Sequence, residues 1–167
     1  MAADVLSTMP LRVDAGRLDA RLPTRWHVLT GAACTGKTTL IEMLATRGFA
    51  VVHESARICF EREIAAGRAL ADIRRDGAHL QRSIAALQRT LEDAADPVRT
   101  TFLDRALPDS LTFFRVYGLD PHEVLPQCLR HRYASVVILD RLPQHRALAL
   151  GPEDDPTSAF LDEWLVR

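Results

Sequence analysis

Nine residues, Gly31-Ala32-Ala33-Cys34-Thr35-Gly36-Lys37-Thr38-Thr39, restrict what this chain can fold into more than any other stretch. They fit the pattern glycine, any four residues, glycine, lysine, then serine or threonine, in which a loop wraps phosphates with its backbone. The spacing has physical causes. Gly31 turns the chain out of a strand with no Cβ in the way. The amides that follow point inward and surround an anion. Gly36 lets the main chain come close to the phosphates. Lys37 brings a charge to the β- and γ-phosphates, and the Thr38 hydroxyl is placed for Mg²⁺, which takes few protein ligands and keeps several waters. A helix beginning near Gly36 aims its positive end at the same group.

Such a pattern carries meaning only between a strand and a helix. Trp26-His27-Val28-Leu29-Thr30 reads as a short buried strand before it. Residues 39–45 read as a helix with Leu40, Ile41 and Leu44 on one side, and Gly48 suits its end. All nine loop residues are therefore expected to line the site of a nucleoside triphosphate, ATP or GTP, with Mg²⁺.

Further strands are expected at residues 49–53, 100–104 and 135–140. The unbroken apolar run of the last reads as a central parallel strand covered on both faces. Helical periods occupy residues 56–66, 72–95 with a break at Asp76-Gly77, and 109–117. In the long one Leu80, Ile84, Leu87 and Leu91 form a stripe for core packing, with Gln81, Arg82, Gln88 and Arg89 elsewhere. Asp120-Pro121 opens a further short helix, and Asp155-Pro156 a final one with Phe160, Leu161, Trp164 and Leu165 on its apolar side. Strands alternating with helices predict an α/β domain with a mostly parallel sheet. Residues 1–23 read as an N-terminal extension and 24–167 as the domain.

Composition excludes some classes of function. The 167 residues carry a net charge of −1, so no broad surface for nucleic acid or anionic membrane is expected. No apolar run is long enough to span a bilayer. The three cysteines, Cys34, Cys59 and Cys128, form no metal or CxxC pattern, and a reducing cytoplasmic compartment fits them.

Chemistry needs acids near the metal. Two strands end in Asp-Arg, Asp104-Arg105 and Asp140-Arg141. In parallel sheets such ends face the ligand crevice, so either Asp can serve Mg²⁺. Architectural analogy places Asp104 ahead; Asp140 has the cleaner apolar run before it. Glu54 ends the second strand, where a carboxylate can orient an acceptor hydroxyl. Arg57 lies one helical turn on, within reach of an acceptor anion, and His53 reads as a packing or solvent residue. Arg141, His145 and Arg146 follow the fourth strand, where a mobile arginine can close over a transferred phosphoryl group.

The segments GAACTGKTTLIEML, VVHESAR, TTFLDRALPDSLTFFRVYGL and VVILDRLPQHR, followed by EDDPTSAFLDEWL, together resemble the AAA-type ATPases of the NadR-like family. That family is related to nicotinamide-riboside kinase and to TRPL translocation defect proteins. The resemblance implies a three-layer P-loop NTPase fold of the nucleotide-kinase kind. It implies phosphate-loop roles for Gly31, Gly36, Lys37, Thr38 and Thr39. Asp104-Arg105 would match the family's Asp-Arg, Glu54 and Arg57 the acid and arginine after the second strand, and Arg141 a lid. The resemblance implies a fifth strand after the final helix, and because this sequence stops at Arg167 that strand is expected to be missing, in a truncated or a naturally short form. An incomplete sheet edge, a poor base pocket and self-association through that edge are therefore expected. The functions in view are Mg²⁺-dependent transfer to a small-molecule acceptor, ATP hydrolysis, and a nucleotide-dependent switch or interaction module.

Overall fold

The computed structural model describes residues 10–32 and 35–140. Ala33, Cys34, Arg141, His145, Arg146 and the expected final helix lie outside the described residues. A short helix, α1 (Ala15–Asp19), leads into β1 (Leu22–Pro23) and β2 (Trp26–Thr30). Then come α2 (Lys37–Thr46), β3 (Ala50–Val52), α3 (Ser55–Ala65), α4 (Leu70–Arg75) and α5 (Gly77–Ala94). The chain continues through β4 (Thr101–Asp104), α6 (Asp109–Val116), a 3₁₀ turn (Pro121–Glu123) and α7 (Leu125–Cys128). It closes with β5 (His131–Arg132) and β6 (Ser135–Ile138).

The main sheet is wholly parallel, in the order β3-β4-β2-β6. Its register sets Leu29 beside Asp104 on one flank and beside Val137 on the other. The strand that feeds the phosphate loop is therefore internal. A smaller parallel pair, β1 with β5, ties residues 22–23 to 131–132.

One face of the sheet carries Trp26, Val28, Val52 and Leu103, packed by Leu91 and Ala95 at the end of α5. The apolar stripe read in the sequence lies on this helix, and Leu80, Ile84 and Leu87 bury against Cys59 and Ile73 of α3 and α4. The expected break at Asp76-Gly77 separates α4 from α5. Gly77 lies against the ring of Tyr117, which a Cβ there would force to move. Among the described residues, no helix is long and apolar enough to cross a membrane.

The reading of residues 135–140 as a covered central strand is corrected. β6 is the edge of the described sheet, and Val136, Val137 and Ile138 are 56%, 43% and 41% exposed. An apolar run reports what a strand can bury, while its place in the order depends on the strands beside it.

Candidate active site

Lys37 opens α2 behind Gly36, whose φ of 86° only glycine adopts easily. The lysine is buried and folds back over its own loop. Nζ donates to the carbonyl oxygens of Gly31, at 3.1 Å, and of Ala32, and to Thr35 Oγ1, at 3.1 Å. Burial, then the nearby Arg105 charge, brings its pKa down from 10.5 to about 8, against the opposing pull of Asp104, Glu54 and Asp109. The ammonium thus sits where the loop carbonyls gather.

Gly31 has φ 132°, and a Cβ there would collide with the backbone oxygen of Leu139. Leu139 cannot give way easily, because its N–H donates to Thr30 O at 2.8 Å. Gly31→Ala is therefore expected to destabilise the domain by about 2–4 kcal/mol, from overpacking and backbone strain together. A urea titration checks this: the midpoint should fall with an unchanged slope.

Asp104 ends β4 and is 1% exposed. Its Oδ2 accepts from Thr38 Oγ1 at 3.0 Å. Its Oδ1 is buried and has no hydrogen-bond partner among the described residues. Burial and then Glu54 raise its pKa, while the Thr38 hydroxyl, Lys37 and Arg105 lower it. A threonine hydroxyl beside a carboxylate with one open oxygen is a hard-oxygen donor set that fits Mg²⁺. Asp140 is exposed, two residues past the end of β6 on the opposite flank of β2.

Arg105 is the non-glycine residue with positive φ among the described residues, at 67°. That conformation is uncommon for a side chain of its size. Its Nε donates to Glu54 Oε1 at 3.1 Å, and its guanidinium lies 3.7 Å from Asp109 Oδ2 and 5.2 Å from the centre of the Phe113 ring. Asp109 Oδ2 also accepts from Thr30 Oγ1 at 2.8 Å. A string of polar groups therefore links the ends of β2, β3 and β4. Burial raises the pKa of Asp109, opposed first by Arg105. Thr30 and Asp109 were not singled out by the sequence, which gave Asp109 only as a helix start.

Thr38, Glu42, His53, Glu54, Arg57, Ile58, Glu61 and Asp104 line a cleft of about 320 Å³ next to this string. Arg57 lies at its exposed rim, with Nε 3.0 Å from Glu61 Oε1 on the same helix. His53 is exposed. The structure thus brings Lys37, Thr38, Glu54, Asp104 and Arg105 together, and leaves Asp140 apart from them at the edge strand.

An internal parallel strand running into a glycine loop, with lysine and threonine set against an acid from the neighbouring strand, defines a P-loop nucleotide-binding domain of the kinase or NTPase kind. The AAA domain family profile matches residues 26–165, and the chain belongs to that family. It is similar in fold to a structure described as the crystal structure of NadR protein in complex with NR, at 19% identity and a TM-score of 0.59. That alignment covers 90% of this chain and 42% of the other, so the chain spans less than half of that protein's length. Comparison with curated proteins gave no match.

Proposed function

We propose that this domain binds ATP or GTP with Mg²⁺ and transfers the γ-phosphoryl group to a hydroxyl of a small molecule held in the cleft beside Asp104. The observation that carries this reading is the Thr38–Asp104 pair, with its open buried Oδ1, lining a cleft together with Glu54. A pure hydrolase needs room for only one water beside the phosphate, and a switch needs no second pocket.

In this reading Gly31 to Thr39 wrap the phosphates, and Lys37 leaves the carbonyls of Gly31 and Ala32 for the β- and γ-oxygens. Thr38 and Asp104 would hold Mg²⁺, which supplies charge neutralisation on the transferred group. Glu54, steadied by Arg105, orients the acceptor hydroxyl or takes its proton. The acceptor oxygen bonds to the γ-phosphorus as the bond to the β–γ bridging oxygen breaks, and the nucleoside diphosphate leaves. Positioning and electrostatics supply most of the acceleration. Arg141 belongs to this reading as a lid residue and Asp140 as the alternative metal acid. A reducing, cytoplasmic setting suits the free thiols of Cys59 and Cys128. The bare apolar residues of β6 support self-association through that edge.

Incubation of the purified protein with γ-labelled ATP or GTP and a panel of nucleosides and other small hydroxyl compounds tests the proposal. Label on an acceptor is the expected result. Label only in free phosphate turns the reading to an NTPase, and nucleotide binding with neither product turns it to a nucleotide-dependent switch.

A further inference from the structure

A buried carboxylate on α5 takes no part in the site described above. Glu92 is 1% exposed, one turn from Gln88, which is 2% exposed. Glu92 Oε1 accepts from Leu107 N at 2.8 Å and from Gln88 Nε2 at 3.0 Å. Its Oε2 accepts from Tyr133 Oη at 2.9 Å, with His131 Nδ1 at 3.5 Å. Gln88 Nε2 also reaches the carbonyl oxygen of Arg105 at 3.3 Å. Both side chains therefore grip the turn between Asp104 and α6, at the carbonyl of residue 105 and the N–H of residue 107.

That grip has a cost. A carboxylate inside a core is expensive to desolvate, and Gln88 Oε1 is left buried with no partner among the described residues. An apolar pair would fill the same space more simply. What the polar pair adds is control of the peptide that follows Arg105, the residue held at φ 67°. The same turn sends Asp104 toward Thr38 and the Arg105 guanidinium toward Glu54.

We infer that Glu92 and Gln88 are positioning residues for the Mg²⁺ and acceptor carboxylates, acting through the Arg105–Leu107 turn rather than by touching substrate. The inference rests on the phosphoryl-transfer reading above. Supporting groups of this kind are coupled to metal affinity, where their loss typically weakens binding about 10–100-fold.

The test uses the full chain and a fluorescent ATP analogue, titrated without Mg²⁺ and then with increasing Mg²⁺. For Glu92→Gln the Mg²⁺-free affinity, which the phosphate loop sets, should be unchanged. The Mg²⁺ concentration giving half of the metal-dependent gain in affinity should rise about tenfold. Gln88→Leu, which removes the contacts to Arg105 O and to Glu92 Oε1 but keeps the Glu92 carboxylate, should move the same midpoint in the same direction. It also decides the matter if Glu92→Gln does not fold. A lower melting temperature with an unmoved Mg²⁺ midpoint in both variants means that the pair only supports the fold, and overturns the inference. A wild type whose affinity ignores Mg²⁺ overturns the metal reading itself, and this inference with it.

Discussion

Lys37→Ala removes the thermal stabilisation that ATP gives to the wild type. At a nucleotide concentration about a hundred times Kd, binding is worth about 2.7 kcal/mol, or a rise of about 5–10 °C for a domain of this size. The variant should show no rise, because the loop amides alone would face a polyphosphate without the ammonium. Differential scanning fluorimetry with and without nucleotide measures this, and an unchanged shift would remove Lys37 from the site. The nucleotide-free protein carries a second signature. The lysine's pKa in the fold, about 8, lies below its ordinary 10.5. Between those values the unfolded chain binds more protons than the native one, so stability rises as pH rises through that window. Below pH 8 the lysine is charged in both states, and its desolvation counts in full against the fold. Lys37→Ala should abolish this alkaline gain along with the nucleotide response.

Asp104→Asn is expected to separate stability from activity. The substitution keeps an acceptor for Thr38 and removes the charge at the open oxygen. Mg²⁺-dependent turnover should fall by at least about a hundredfold, some 2.7 kcal/mol of barrier. The nucleotide-free fold should be at least as stable as the wild type at neutral pH. The pKa of Asp104 is raised in the fold, so the native state binds its proton more readily than the unfolded chain does. Stability from this group is complete below its ordinary pKa of 3.8 and is lost as pH rises through the raised value. Above its ordinary pKa the group is therefore a net cost to folding, which the amide avoids. Steady-state phosphate transfer and a melting curve on one preparation check both halves. Asp140→Asn is the companion variant, and if it alone shifted the Mg²⁺ requirement, the metal acid would be reassigned to the edge strand.

Local features of this fold were legible in the sequence because local rules write them. The phosphate loop, its glycines and the helix behind it depend on residues within one short stretch. The stripe on α5 depends only on a period. What the sequence hid depends on neighbours distant along the chain. The apolar run of β6 suits a middle strand, yet the described sheet places it at the rim. Gln88 lies off the apolar stripe and Glu92 is a charged residue outside it, yet both are buried. Their partners, Leu107, Arg105 and Tyr133, lie 15 to 41 positions away and follow no pattern that a window can detect. Asp109 was likewise visible only as a helix start, since its pairing with Thr30 spans 79 positions.

The polar string from Glu54 through Arg105 and Asp109 to Thr30 is mostly shielded from water, whereas Arg57 and Glu61 at the rim are 61% and 64% exposed. Dissolved ions screen the second kind of pair far more than the first. Rising ionic strength should therefore weaken the Arg57–Glu61 pair at the entrance of the cleft while its floor keeps its shape, so that brine acts on the rim before it acts on the interior.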